Sequence, residues 1–103
     1  MEKRKPHYAL KEIQAALSDA TKLNRTVSAA DGAADLGLSD EDVASVIRGL
    51  THKDFYKSMT AIHSSKLWQD VYLPNLAGKE LYVKFTKDAE DNYLLISFKE
   101  SES

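Results

Sequence analysis

The sequence predicts an α+β fold, with N-terminal helices packed on one face of a C-terminal antiparallel sheet of about four strands. Apolar residues recur at helical spacing up to about residue 50, whereas polar and apolar residues alternate from residue 54 onward. Short turn-forming segments separate the alternating runs, which is typical of a meander of neighbouring strands. The 103 residues suit one modest core, so we expect residues 1–103 to form a single domain.

Three helices are expected in the first half of the chain, over residues 8–19, 29–36 and 40–48. Apolar side chains recur about one turn apart in the first and third, at Leu10, Ile13, Leu17, Val43, Val46, Ile47 and Leu50. Ser28 is the expected N-cap of the second helix, and Gly37 follows its end. Ser39 is the expected N-cap of the third helix, which Gly49 ends.

Four strands are expected in the second half, over residues 54–60, 68–73, 80–87 and 93–99. Pro74 ends the second strand because proline cannot donate to the hydrogen-bond ladder of a sheet. Residues 76–79 and 88–92 are rich in turn formers and predict hairpin connections.

Alternation assigns side chains of the last two strands to faces. If Leu81, Val83 and Phe85 face the helices, Tyr82 and Lys84 face away from them. For the fourth strand, the same reasoning predicts that the side chains facing the helices are Leu94, Ile96 and Phe98. It predicts that the side chains facing away are Leu95, Ser97 and Lys99. In the first strand, Lys57 falls on the face of Phe55 and Met59, but alternation alone does not assign Lys57 or Gln69 to the Tyr82 face.

Charge is arranged in blocks, although the net charge is only −2. The formal charge is +3 over residues 1–25, −5 over 26–47, +4 over 48–87 and −4 over 88–103. One basic block therefore covers most of the predicted sheet. A local positive patch can bind phosphate groups on a protein that is negative overall.

Several classes of site are excluded or disfavoured. The chain has no cysteine, which excludes disulfides and thiolate metal sites. The three histidines, His7, His52 and His63, lack the spacing of metal ligands, so we expect no metal or other cofactor. No glycine-rich phosphate loop or apolar membrane-spanning run occurs, and we expect a cytoplasmic protein without a membrane partner.

The predicted face with Tyr82, Lys84 and Lys99 offers one phenol and two ammonium groups. RNA carries its own nucleophile, the 2′-hydroxyl, so its cleavage needs a proton acceptor, a proton donor and positive charge near the phosphate. Such a face can supply all three without a metal ion. The same pattern also fits an ordinary solvent-exposed face, or a non-catalytic module that binds RNA or protein through the sheet.

A helix-turn-helix regulator of DNA is a further alternative, because the second and third helices have about the spacing of that motif. The recognition helix would then begin with Asp40, Glu41 and Asp42. These carboxylates would face phosphates and repel them. We therefore expect no direct DNA binding and interpret the third helix as part of the core.

Five strings of this sequence resemble the MqsR (motility quorum-sensing regulator) toxin family. They are MEKRKPH at the start, DFYKSMT at 54–60, WQDVY at 68–72, LYVK at 81–84 and SFKE at 97–100. The resemblance covers nearly the whole chain, with the strings in the same order as in the family, and the agreement is strongest in the strands. The resemblance implies a RelE-like fold and a toxin of a type II toxin–antitoxin pair. It implies a metal-independent endoribonuclease, an mRNA interferase that cuts single-stranded mRNA at GC-containing triplets.

The resemblance also implies site residues. Family catalytic residues match Lys57 in DFYKSMT, Gln69 in WQDVY and Tyr82 in LYVK. A further basic residue of the family matches Lys99 in SFKE, and Lys84 in LYVK is given a supporting role at the phosphate. The implied partners are an mRNA substrate and a cognate antitoxin similar to MqsA.

Overall fold

The computed structural model of the protein describes residues 1–102. Within this range lie three α-helices: α1 (Leu10–Leu17), α2 (Val27–Asp35) and α3 (Asp40–Arg48). The strands are β1 (Glu2–Lys3), β2 (Phe55–Ala61), β3 (Ser64–Tyr72), β4 (Asn75–Leu76), β5 (Lys79–Lys87) and β6 (Tyr93–Glu100). Short 3-10 turns lie at Ala20–Lys22 and His52–Asp54.

The strands pair antiparallel in the order β1-β2-β3-β5-β6, and β4 pairs with the start of β5. The predicted α+β fold and the meander of four main strands are confirmed. The sheet has six strands in residues 1–102, not four. The two additional strands have two residues each, and a strand that short carries no alternation from which a sequence could reveal it.

The helix boundaries follow the side chains that satisfy the first backbone N–H groups. The third helix has its predicted bounds, with a capping box between Ser39 and Asp42. The expected cap at Ser28 is wrong, because Thr26 Oγ1 accepts the N–H of Ala29 and α2 begins at Val27. The first helix is shorter than predicted, since α1 begins only at Leu10 and ends at Leu17.

The core lies between the helices and one face of the sheet, which we call the inner face. Its buried apolar residues include Leu10, Ile13, Leu17, Val43, Ile47, Tyr72, Leu81, Val83, Phe85, Leu95 and Phe98. The predicted inward orientation of Leu81, Val83 and Phe85 is therefore confirmed. No helix among residues 1–102 is both long and apolar enough to cross a membrane.

The orientation predicted for β6 is wrong in its first half. Lys84 pairs with Ser97, whereas Phe85 pairs with Leu95, so Ile96 is an extra residue in a β-bulge. The bulge turns Leu95, which is 1% exposed, into the core, while Leu94 and Ile96 stay outside the core cluster.

Helix α2 packs directly against β6, the last strand of the sheet. A Cβ added to Gly32 would lie 2.1 Å from the carbonyl oxygen of Phe98, so only glycine permits this approach. Just before the helix, Thr26 donates its N–H to Leu95 O, and Leu95 donates its N–H to Asn24 O. These contacts cover part of the sheet edge and hold β6, the strand that carries Lys99.

Candidate active site

Strand register brings the predicted site residues to one face of the sheet. Lys57 on β2 pairs with Val71 on β3, which in turn pairs with Lys84 on β5. Across the next pair of strands, Tyr82 on β5 lies opposite Lys99 on β6. Directly paired residues of antiparallel strands point to the same side, so these lysines and the tyrosine share the face away from the helices, called here the outer face.

A second β-bulge, in β2, determines the orientation of Lys57. Phe55 pairs with Tyr72 and Lys57 pairs with Val71, so Tyr56 is the extra residue. The Phe55 ring packs edge-on against Tyr72 on the inner face, with 5.5 Å between ring centroids. The expectation that Lys57 shares a face with Phe55 is therefore wrong, because the bulge turns Lys57 outward.

The outer face contains a cleft of about 650 Å³. It is lined by Tyr56, Lys57, Leu73, Glu80, Tyr82, Lys99, Ser101 and Glu102. Three of the predicted site residues, Lys57, Tyr82 and Lys99, thus line one cleft. The Lys99 ammonium lies 5.5 Å from the centroid of the Tyr82 ring, and the Lys84 ammonium lies 5.6 Å from the same centroid.

Gln69 lies on the outer face but does not line the cleft. It pairs with Met59 on β2, two residues along β3 from Val71. Its amide can therefore contact an extended chain that runs across the face beyond the cleft. The structure brings Gln69 to the predicted face, but not into the group formed by Lys57, Tyr82 and Lys99.

Burial and neighbouring charges shift the pKa of the Tyr82 phenol and the pKa of the Lys84 ammonium in opposite directions. Burial raises the pKa of the Tyr82 phenol, and this effect exceeds the opposing influence of Lys57. Burial lowers the pKa of the Lys84 ammonium, and the nearby charges of Lys99 and Lys57 lower it further. Tyr82 is thus a proton donor at neutral pH, whereas Lys84 loses its proton more readily than a free lysine.

A carboxylate next to Lys57 was not predicted from the sequence. Strand β1 pairs with β2 and sets Glu2 opposite Met59, on the outer face. A Glu2 carboxylate oxygen lies 3.5 Å from the Lys57 ammonium nitrogen. Tyr56 was likewise not singled out, although it lies within DFYKSMT. Its ring is 42% exposed beside the cleft, with the Arg4 guanidinium 5.8 Å from the ring centroid.

A buried carboxylate anchors the segment that follows β1. Asp70 is fully buried and accepts hydrogen bonds from the N–H groups of His7 and Tyr8 and from the hydroxyl of Ser58. These bonds attach the N-terminal segment to β2 and β3. The same segment carries Glu2, so Asp70 helps to hold that carboxylate near Lys57.

The acidic start of α3 has structural partners. Asp40 forms a salt bridge with Arg25, Glu41 forms one with Arg48, and Asp42 completes the capping box. The apolar side of the same helix is buried in the core, as expected for a packing helix.

Histidines and carboxylates do not assemble into a metal site in the described chain. No group of three His, Cys, Asp or Glu side chains that could hold a metal ion occurs in residues 1–102. His7 stacks on Trp68, with 5.2 Å between ring centroids, and thus has a packing role.

Comparison with known proteins identifies the family of this chain. Residues 5–100 match the family described as "Motility quorum-sensing regulator, toxin of MqsA". The mRNA interferase toxin MqsR of Escherichia coli (strain K12) is 42% identical over 100 residues, which cover 97% of this chain and 99% of that protein. The chain therefore belongs to the family of motility quorum-sensing regulators.

Proposed function

We propose that this protein is the toxin of a type II toxin–antitoxin pair, an endoribonuclease that cuts single-stranded mRNA and so inhibits translation. The observation that carries the proposal is the group of Lys57, Tyr82 and Lys99 in one cleft, with Lys84 beside it. The relative named an mRNA interferase toxin, which aligns over nearly the full length of this chain, supports it. Cleavage at GC-containing triplets is the expected preference from the family resemblance.

The proposed reaction uses the 2′-hydroxyl of the RNA as nucleophile and no metal ion. Its oxygen bonds to the adjacent phosphorus, and the bond from phosphorus to the 5′-oxygen breaks. The products are a 2′,3′-cyclic phosphate and a 5′-hydroxyl. Positive charge from Lys57, Lys84 and Lys99 stabilises the phosphate as negative charge builds up on it.

The proton donor in this scheme is Tyr82. Its raised pKa keeps the phenol protonated at neutral pH, so it can give its proton to the departing 5′-oxygen. Lys57 is the other proton-transfer candidate from the sequence, and Lys84 and Lys99 bind phosphate. Gln69 orients the RNA from its position outside the cleft.

The proposed protein partner is a cognate antitoxin similar to MqsA, because the family is described as the toxin of MqsA. The proposed place of action is the cytoplasm, where an mRNA substrate is found. Direct DNA binding by this chain is not part of the proposal, because the acidic start of α3 would repel phosphates.

The nuclease activity is tested with purified protein, single-stranded RNA and excess EDTA. New RNA ends are expected for the parent and for two control variants, Tyr72→Phe on the inner face and Lys53→Ala at an exposed position. Tyr82→Phe and Lys57→Ala are expected to lose activity, about 10²-fold or more for the proton donor. If both site variants cut as well as the parent, the proposed site is wrong. Binding of RNA without cutting by the parent would favour a non-catalytic module instead.

The toxin role is tested in growing cells. Expression of the parent alone should stop growth, and co-expression of an antitoxin similar to MqsA should restore it. Tyr82→Phe at the same protein level serves as the control and should permit growth. Harmless expression of the parent at high level would contradict the proposal.

A further inference from the structure

Lys84 occupies the middle of the outer face. It lies on β5, between Val71 on β3 and Ser97 on β6, and neither neighbour carries a charge. Its side chain is partly buried and forms no salt bridge or hydrogen bond with any residue from 1 to 102. Lys84 therefore differs from a surface lysine, which is either surrounded by water or paired with a carboxylate.

Two other groups of the site are less suited to take a proton from a hydroxyl. The ammonium of Lys57 lies 3.5 Å from the Glu2 carboxylate, and this ion pair requires the charged form of the lysine. Tyr82 is protonated at neutral pH, as an ordinary tyrosine is, and burial raises the pKa of its phenol further. The ion pair of Lys57 and the protonated phenol of Tyr82 make both groups poorer proton acceptors than an amine without such a partner.

Lys99 differs from Lys84 in its exposure. It lies at the solvent-exposed end of β6, opposite Tyr82, and lines the cleft directly. A solvated ammonium at the cleft wall is suited to contact a phosphate oxygen. It lacks the partly buried position between other cations that sets Lys84 apart.

We propose that Lys84 is the catalytic base, which accepts the proton of the 2′-hydroxyl while Lys57 and Lys99 hold the phosphate. This inference rests on the proposed nuclease function and assigns Lys84 more than a supporting charge. In the proposed function above, Lys57 was the second candidate for proton transfer and Lys84 bound phosphate.

The electrostatic surroundings support this assignment. The charged or titratable groups on the outer face around Lys84 are Glu2 on β1, Tyr56 and Lys57 on β2, Glu80 and Tyr82 on β5, Lys99 on β6 and Glu102 after it. Strand β3 presents only the neutral Gln69 and Val71 at this place. Burial, then Lys99 and Lys57, lower the pKa of Lys84, so more of it is the neutral amine at a given pH.

The proposed step is balanced in atoms and charge. The Lys84 amine takes the 2′-hydroxyl proton, and the freed electron pair forms the bond from O2′ to phosphorus. The bond from phosphorus to O5′ breaks, and O5′ takes the proton of Tyr82. Lys84 is left as ammonium and Tyr82 as phenolate, and exchange of one proton with water restores each of them.

Lys84→Arg separates the base role from a role of charge alone. Arginine keeps the positive charge but does not release its proton at neutral pH. A base role predicts a fall in kcat of about 10²–10⁴-fold, with little change in the affinity for a 2′-deoxy oligonucleotide that cannot be cut. Lys53→Arg, at an exposed position outside the cleft, is the matched control and should keep the parent rate. Cleavage by Lys84→Arg within a few-fold of the parent would overturn the inference.

A second measurement does not depend on whether arginine fits at this position. The chain has no cysteine, so Lys84→Cys offers a single thiol that 2-bromoethylamine converts to thialysine, whose amine has a lower pKa than that of lysine. The base role predicts restored cleavage and a shift of the rising limb of the pH profile of kcat/KM to lower pH. The same treatment of Lys53→Cys, at an exposed position outside the cleft, should leave that limb in place. An unmoved limb at position 84 would overturn the inference.

The two proposals fail in different ways in these experiments. If the parent protein does not cut RNA at all, the nuclease function fails and the base role fails with it. If the parent cuts RNA and Lys84→Arg cuts equally well, only the assignment of Lys84 is wrong.

Discussion

The two faces of the sheet differ although the same strands build both. On β5, Leu81, Val83 and Phe85 are at most 1% exposed on the inner face, while Tyr82 and Lys84 between them are partly exposed on the outer face. The inner face is packed against helices, which leaves its side chains little freedom. A rigid core on one face can therefore position the site groups of the other face without a tight network of hydrogen bonds around them.

The largest expected effect on stability is at the inner face. Phe85→Ala removes a fully buried ring and should lower the free energy of unfolding by about 3–5 kcal/mol. Tyr82→Phe, three positions away on the outer face, should change this free energy by about 0.5 kcal/mol or less and yet abolish most cleavage. Urea denaturation and an RNA cleavage assay on both variants measure the contrast. Equal losses of stability in Phe85→Ala and Tyr82→Phe would contradict the division into a stabilising inner face and a catalytic outer face.

The buried carboxylate at Asp70 links the faces, because it anchors the N-terminal segment that also carries Glu2. Asp70→Asn should lower the free energy of unfolding by about 1–3 kcal/mol, since an amide cannot accept all the bonds that the carboxylate accepts. Hydrogen exchange at the N–H groups of His7 and Tyr8 should become faster. Asp31→Asn, at an exposed position, is the control. Unchanged exchange at both amides would contradict the anchoring role.

Gly32 tests the contact between α2 and β6. Gly32→Ala should lower the free energy of unfolding by about 1–3 kcal/mol, because its Cβ overlaps the carbonyl oxygen of Phe98. Lys99 follows Phe98, so cleavage should fall as well, even where the variant is folded. Gly49→Ala is the matched control: its nearest neighbour would be 3.4 Å away, and its φ is −86°. If both variants behave alike in thermal denaturation, the close approach does not constrain β6.

The inner face also contains a buried polar atom, whose removal should change stability only slightly and leave cleavage intact. The hydroxyl of Tyr72 is buried without a hydrogen-bond partner in residues 1–102, and burial raises the pKa of this phenol to about 12. Tyr72→Phe should therefore raise the free energy of unfolding by about 1 kcal/mol and leave cleavage unchanged. A loss of stability in urea denaturation would show that the hydroxyl is bonded in solution.

Much of the fold could be predicted because its signals are local. The cap at Ser39, the apolar spacing of α3 and the alternation of β5 each involve residues close in the chain, and all three predictions are confirmed. The start of β3 could not be predicted, since Ser64, Ser65 and Lys66 are polar and exposed and show no alternation.

The site was predictable in its residue types more than in its geometry. Family strings named Lys57, Gln69 and Tyr82, and their catalytic roles remain predictions. Strict alternation along β2 predicts that Lys57 lies on the same side as Phe55. This prediction fails because the bulge at Tyr56 cannot be recognised from the residue pattern of a single strand.

From the sequence alone we could predict the fold class, the cap of α3 at Ser39 and the chemical groups available for a nuclease site. The tertiary structure was needed to show which of those groups lie together. It pairs Glu2 with Lys57 and leaves Lys84 without a salt bridge to any residue from 1 to 102. Strand register is a property of two paired strands, so the residue pattern of a single strand cannot reveal which side chains meet. Backbone hydrogen bonds between segments far apart in the chain set this register, and each bulge shifts it by one residue and so reverses the face of every side chain that follows.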